Sequence, residues 1–152
     1  MDLVELLETR RAEILMDAGI SQSRSHLVQY DPAERQERQQ RLRTLYNLVL
    51  RGVRVRDLEA LRDYMETIAQ EQYAAGSDLY EAQMALNVLE EAIWHHIVVR
   101  MPACAYSESI GLITTVLSAA KDTLTQAYIA RACKTDTLPP NRLELLETAD
   151  HV

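Results

Sequence analysis

The sequence lacks several features on which whole classes of protein depend. Its 152 residues include no Phe, only four Gly, four Pro and two Cys. So little Gly and Pro excludes a fold built from many tight turns, and 47% hydrophobic residues exclude a disordered chain. The length is that of a single domain with one core. What remains is typical of a helical globular domain.

Long hydrophobic runs are also missing. The longest, such as residues 97–99, fall far short of the roughly 20 residues that span a bilayer. The N-terminal "MDLVELLETRR" has no basic region followed by an apolar one, as a secretory signal would. The sequence therefore predicts a cytoplasmic protein without a membrane span.

Positive charge is in deficit. The net charge is −7, and the arginines of "RQERQQRLR" (residues 35–43) alternate with Glu and Gln. Such a stretch offers no continuous basic face to neutralise phosphates, so nucleic-acid binding is not expected.

The two cysteines, Cys104 and Cys133, form no C-x-x-C and have no metal-type spacing. We predict that both are free, buried thiols; a redox sensor is the alternative.

Catalytic motifs are absent from the sequence. It contains no Gly-rich phosphate loop, no G-x-S-x-G and no H-E-x-x-H. Acidic pairs such as Glu90 and Glu91 are typical of a solvated helix surface. Ser21, Ser23 and Ser25 are open to phosphorylation but equally suit a polar connection. No catalytic residue is predicted, and an enzyme is the least supported class.

Helical periodicity runs through the chain and predicts an all-α fold. Five main helices are expected, at about 2–18, 31–52, 57–76, 78–101 and 107–133, with a weaker one possible within 21–30. Their predicted ends are Gly19, Gly52, Gly76 and Pro102, and their predicted starts include "DPAE" (31–34), Asp57 and "DLYE" (78–81). These signals place a helical domain at 1–134.

The fifth helix has the most regular apolar spacing. Its residues alternate three and four apart, as in a heptad seam: Ile110, Ile113, Leu117, Ala120, Leu124 and Ala127. This spacing suits helix packing or a contact between two chains. After it, residues 135–152 form a tail in which Pro139 and Pro140 interrupt the chain and Asn141 with Glu144 can open a last short helix.

"EEAIWHHIVVRMP" (90–102) contains the single Trp beside two adjacent histidines. Successive helical residues lie about 100° apart, so His95 and His96 cannot share one metal ion. Glu-x-x-His spacing is missing as well, because Ala92 and Ile93 precede them by three. No metal or other cofactor is predicted.

Helical projection places His96 at the edge of the main apolar stripe of its helix, where it is expected to be partly buried and hydrogen-bonded. A haem ligand or a pH-sensing interface residue is the alternative role for His96. His95 projects to the opposite side with a second apolar strip, which implies a central helix or a subunit interface. We therefore expect a homodimer whose interface includes Val88, His95, Val99, Ile110, Ile113, Leu117 and Leu124.

Residues 1–134 resemble the N-terminal domain of RsbR-type RsbT co-antagonists, the stressosome regulators. The resemblance is carried by "LLETRRAEIL" (6–15), by "LRDYMETIAQEQYAAGSDLYEAQMALNVLEEAIWHHI" (61–97) and by the long closing helix. It implies a globin-like, haem-free domain that dimerises and acts as a sensory or protein-interaction input.

In that family the input precedes a STAS domain, and the complex controls a switch kinase that activates a stress sigma factor. The sequence given stops at Val152, which leaves no room for a STAS domain. The resemblance therefore implies a stand-alone or truncated input module, or one whose output passes through a STAS-domain or switch-kinase partner. The input domain of a transcriptional regulator and a haem sensor that uses His96 remain alternatives.

Overall fold

The periodic segments of the sequence fold into α-helices. The structure is a computed structural model that describes residues 1–25 and 32–135, and within these ranges it contains no strand. The helices are α1 (Leu3–Thr9), α2 (Arg11–Ser25), α3 (Pro32–Val55), α4 (Glu59–Ala74), α5 (Tyr80–Arg100) and α6 (Tyr106–Thr135), with one 3₁₀ turn at Ala103–Ala105. The prediction of an all-α fold with a long closing helix is confirmed.

The predicted apolar stripes supply the core. Each helix turns most of its Leu, Ile and Val positions inward, which removes apolar surface from water and drives folding. The largest fully buried side chains come from all six helices and are Tyr46, Leu6, Leu7, Ile14, Leu61, Met65, Leu86, Leu89, Ile93, Ile97, Ile113 and Leu117.

Helix α5 occupies the middle of the arrangement. It packs against α2 on one side and against α6 on another, while α6 also packs along α4. The seam between α2 and α5 and the seam of α6 with α4 and α5 are therefore the two main helix contacts. Helix α3 touches α1, α2, α4 and α6 and closes the remaining side.

Several predicted helix ends are confirmed. Asp57 accepts a hydrogen bond from the Glu59 N–H at 3.0 Å, and Asp78 accepts one from the Tyr80 N–H at 3.0 Å. Gly76 has φ of +72° after the last turn of α4, where a residue with a side chain would be strained. Pro102 directly follows the cap of α5.

Two predicted helix ends are wrong. Gly19 lies inside α2, and the first helix is instead interrupted at Arg10, between α1 and α2. Gly52 lies inside α3, which continues to Val55 and is followed by Arg56 with φ of +57°. A Cβ at position 52 would lie 2.9 Å from Leu58 Cδ2, so this glycine permits close packing of the following segment.

The predicted burial of the cysteines is also wrong. Cys104 and Cys133 are both free and exposed, because each lies on the outer side of its helical segment. The Asp31 cap, most of the predicted helix within 21–30 and the tail helix from Asn141 lie outside the described residues. Among the helices the structure does describe, none has the length and apolarity needed to cross a bilayer.

Candidate functional site

A polar contact crosses the seam between α2 and α5. His96, only 4% exposed, points from α5 toward α2, where its Nε2 lies 2.7 Å from Asp17 Oδ2. The Asp17 side chain is 48% exposed, so the pair joins a buried imidazole to a carboxylate that still meets water. The expectation of a hydrogen-bonded histidine at the margin of the core is confirmed.

Arg100 extends this contact into a chain of polar groups. Its Nε donates to His96 Nδ1 at 3.1 Å, and its Nη2 donates to Glu13 Oε2 at 2.5 Å. The other oxygen of Glu13 accepts from Arg10 Nη1 at 3.1 Å. Glu13 and Asp17 are four residues apart on α2, as are His96 and Arg100 on α5, so each helix presents two polar groups on one face.

The hydrogen bonds define the state of His96. A guanidinium group can only donate, so His96 Nδ1 must accept and carries no proton. The proton of a neutral ring then resides on Nε2, which donates it to Asp17. A doubly protonated ring would direct an N–H at Arg100, and the His96–Arg100 hydrogen bond would be lost.

This arrangement does not fit a haem ligand. An axial histidine needs one ring nitrogen free for iron, whereas Asp17 and Arg100 engage both nitrogens of His96. The cavity beside His96 has a volume of about 260 Å³, below the roughly 300–1,000 Å³ typical of small-molecule sites. A haem at His96 would require the α2–α5 seam to open.

A shared metal site is not formed either. The His95 and His96 rings have centroids 5.7 Å apart and planes at 90°, and His95 is exposed while His96 is buried. Among the described residues, no group of three His, Cys, Asp or Glu side chains could hold a metal ion.

An exposed apolar surface lies directly over the polar chain. Met16 of α2 and Val99 of α5 are 65% and 63% exposed, and with His95 they line the cavity beside His96. Trp94 and Val98, one helical turn apart, are 37% and 49% exposed on the same half of α5. We call Met16, Trp94, His95, Val98 and Val99 the outer α5 patch.

The predicted dimer residues divide into two groups. Val88 is 4% exposed and Ile113, Leu117 and Leu124 are 0% exposed within a single chain, so they are core residues and not accessible to a partner. Ile110 is partly buried against the same core. The heptad seam of α6 is used inside the chain, by packing against α4 and α5. His95 and Val99 are the predicted residues that remain exposed.

Sequence reasoning missed the partners of His96 and part of the patch. Glu13 with Asp17, and His96 with Arg100, are i, i+4 polar pairs on their helices, which is a recognisable signal. Only the fold shows that the acidic pair faces the basic one. Met16 gave no signal, because a lone Met on an amphipathic helix is usually a core residue.

No family model, curated protein or solved structure matches the chain. The structural features that bear on function are the α2–α5 seam and the outer α5 patch.

Proposed function

We propose that this chain is a non-enzymatic, cytoplasmic signalling input domain that forms a homodimer through the outer α5 patch. The observation that carries the proposal is the exposure of Met16 and Val99, 65% and 63%, directly above the buried His96 contact. An apolar surface of this kind is stabilised when a second protein covers it.

The composition of the patch supports a protein partner. Trp, Met and other large apolar side chains are enriched in the buried centres of interfaces, while acidic side chains are depleted there. The patch consists of Trp94, Met16, two valines and His95, in a chain whose net charge is −7. A two-fold axis through α5 would bring two identical patches together without apposing two strongly acidic surfaces.

The polar chain beneath the patch supplies a means of relay. It joins α2 to α5 through discrete hydrogen bonds, so a partner that shifts α5 must keep or exchange them. The end of α5 is also tied to the start of α6, because the Tyr106 hydroxyl donates to the Val98 carbonyl at 2.8 Å. A displacement of α5 at the patch would therefore be transmitted directly to the start of α6.

The class of downstream protein that we propose is taken from the family resemblance. A STAS-domain protein or a switch kinase is the expected partner, as in stressosome-type control of a stress sigma factor. Helix α6 is suited to this output, since it is the longest helix described and has exposed residues such as Ile129 near its end.

Light scattering coupled to size-exclusion chromatography tests the dimer. We expect the purified chain to have twice the monomer mass of 17.3 kDa at micromolar concentration. Val99→Asp should shift it to a monomer, since a charge at the centre of the patch would be desolvated. Val55→Asp is the matched control, because Val55 is 55% exposed at the end of α3 and is not one of the patch residues. A monomeric parent chain, or equal effects of both substitutions, contradicts the proposal.

Affinity capture from the source organism tests the signalling role separately. The full chain and its Val99→Asp and Val55→Asp variants are used as baits, and bound proteins are identified by mass spectrometry. We expect a STAS-domain protein or a switch kinase with the parent chain and with Val55→Asp, and reduced recovery with Val99→Asp. Recovery of neither class by a dimeric parent chain contradicts the signalling assignment and leaves the interface intact.

A further inference from the structure

A second exposed groove runs between α2 and α3, with apolar residues along its floor and arginines along its rim. Its volume is about 660 Å³. Leu15, Ile20 and Leu42 contribute the apolar floor, and Ile20 is 47% exposed. Met16 borders both this groove and the outer α5 patch, but the other residues of the two surfaces differ.

The rim of the groove is basic in an acidic protein. Arg24, Arg35 and Arg43 line it, and none of its lining residues within 1–25 and 32–135 is Asp or Glu. Among the described carboxylates, none forms an ion pair with these three arginines. The groove therefore suits an occupant that is apolar on one side and acidic on the other.

The part of α3 that lines this groove, from Arg35 to Arg43, lies toward the same end of the molecule as the C-terminus of α6. The first turns of α3 lie beside the end of α4, where Arg41 approaches Glu71. The end of α4 in turn meets α6, since Tyr73 and Tyr128 pack edge to face and the Tyr128 hydroxyl donates to the Ser77 carbonyl at 2.9 Å. Thr135, the last residue of α6, thus lies at the same end of the molecule as this part of α3.

The sequence that follows α6 has the required chemistry. "RLELLETAD" (142–150) contains three leucines and three acidic residues. At 100° per residue, Leu143, Leu145 and Leu146 fall on one side, while Glu144 and Glu147 fall on the other. Residues 136–141 can span up to about 20 Å when extended, which gives the segment freedom to turn back onto the bundle.

The same five residues, "ELLET", occur in α1 at 5–9, where their contacts are visible. There Leu6 and Leu7 are 0% and 1% exposed, while Glu8 on the outer side pairs with Arg54. In α1, therefore, the two leucines are buried and the following glutamate pairs with an arginine. The apolar floor and basic rim of the α2–α3 groove would accept residues 144–148 in the same way.

We propose that residues 142–148 bind in the α2–α3 groove of the same chain. The leucines then cover the floor formed by Leu15, Ile20 and Leu42, and Glu144 and Glu147 approach the arginines of the rim.

Paramagnetic NMR on the full-length chain tests this proposal. A nitroxide is attached at Thr148→Cys, with Cys104→Ser and Cys133→Ser to remove the other thiols, both of which are exposed. We expect the amide signals of Gly19, Ile20 and Gln39 along the groove to lose most of their intensity. Signals of Arg62 at the start of α4 and of Leu112 near the start of α6, at the other end of the molecule, should retain most of theirs.

Two sets of variants test the chemistry. Leu145→Asp with Leu146→Asp should restore the groove signals severalfold, because the apolar contact is lost. Arg35→Glu should restore them in part, and adding Glu147→Arg should reduce them again by restoring the opposite charges. Unchanged signals in every variant would contradict the proposed contacts.

A mixing experiment separates this chain from a second copy as the source of the segment. Isotope-labelled chain without nitroxide is mixed with unlabelled chain that carries it. We expect no loss of groove signals in the mixture. Loss there would show that a partner's segment occupies the groove and would overturn the same-chain assignment. No loss in the directly labelled chain, or loss centred on another surface, would overturn the proposal altogether.

Discussion

The two main helix seams of this molecule are built from different chemistry. Where α6 meets α4 and α5, the contact residues Ile113, Leu117 and Leu124 are 0% exposed and wholly apolar. Where α2 meets α5, the contact includes His96, Asp17 and Arg100, and it opens to solvent beside Met16 and Val99. The apolar centre of the first seam is fully buried, although the part-buried Lys121–Glu90 ion pair at 3.3 Å also joins α6 to α5. The second seam combines a buried ring with half-exposed charges at its centre.

This difference indicates that one seam supplies most of the stability and that the other can respond to a partner. Apolar burial is non-directional and contributes in proportion to area, so the α6 seam holds the bundle together. Hydrogen-bonded contacts contribute less to net stability, but each requires one geometry. The α2–α5 seam therefore fixes how α2 is placed along α5, and a shift of either helix must exchange one set of hydrogen bonds for another. Substitutions in the two seams should therefore differ in size and in kind.

Leu117→Ala should produce the largest effect. The side chain is fully buried in the α6 seam, and its truncation removes apolar contact and leaves a cavity, which lowers the free energy of unfolding by about 2–5 kcal/mol. Urea denaturation followed by circular dichroism measures the loss. Ile129→Ala on the exposed side of α6 is the control, since Ile129 is 53% exposed and should change stability by less than about 0.5 kcal/mol. Equal losses would remove the distinction between seam and surface on α6.

His96→Ala should destabilise the chain by about 1–3 kcal/mol, less than the loss in the α6 seam. The substitution removes a buried ring, but Asp17 and Arg100 can then turn to water because both are partly exposed. A double-mutant cycle with Asp17→Ala should give a coupling energy of about 0.5–1 kcal/mol, after allowance for screening of the half-exposed carboxylate.

Arg43→Ala is the control for that cycle. Arg43 donates a hydrogen bond to Gln40 on the exposed side of α3. The change in unfolding free energy caused by Arg43→Ala should therefore add to that of His96→Ala without coupling. A coupling between His96 and Asp17 no larger than that between His96 and Arg43 would mean that the polar chain does not fix the α2–α5 seam.

A third buried polar contact, between α3 and α1, provides a pH-dependent reference. Burial raises the pKa of Tyr46 well above its usual range, although the nearby Arg11 guanidinium opposes the shift, and its hydroxyl donates to the Leu7 carbonyl at 2.5 Å. Below about pH 10 both the folded and the unfolded chain keep this proton. Above it the unfolded chain ionises first, so the free energy of unfolding should fall by about 1.4 kcal/mol per pH unit until the folded group also ionises.

Tyr46→Phe should remove that part of the alkaline slope and cost about 1 kcal/mol at neutral pH. Denaturant titrations at several pH values from about 8 to 11 measure both effects. Burial also raises the pKa of Tyr64, so some slope should remain in the variant. Identical slopes in parent and variant would show that the Tyr46 hydroxyl does not ionise in the unfolded chain before the folded one.

The sequence predicted the all-α class and the stripes of the core because both depend on local periodicity. Leu42, Leu45, Tyr46 and Val49 recur at the spacing of one helix face, and all are buried. The heptad spacing of α6 was also real, but spacing alone does not distinguish packing within a chain from packing between chains. Its assignment to a dimer therefore failed for Ile113, Leu117 and Leu124.

The α2–α5 site was less predictable because it depends on contacts between residues far apart in the chain. His96 and Asp17 are separated by 79 positions, and nothing local to either identifies the other. Glycine was misread for a related reason. Gly19 and Gly76 look alike as helix terminators, yet only Gly76 has a positive φ, because the chain must turn there and continues straight at Gly19.

The two glycines give the smallest and most discriminating prediction, since Gly19 lies inside α2 of one seam and Gly76 just after α4 of the other. Gly76→Ala, at the end of α4, forces a side chain into a left-handed turn and should destabilise the fold by about 1 kcal/mol. Gly19→Ala, inside α2, meets no atom within 4 Å and should stabilise the fold by about 0.4–1 kcal/mol through helix propensity and a less flexible unfolded chain. Thermal unfolding of both variants under one buffer condition shows the opposite signs directly. A loss of stability in Gly19→Ala would mean that α2 ends where its sequence first indicated, and the continuous helix on which the α2–α5 seam depends would be in error.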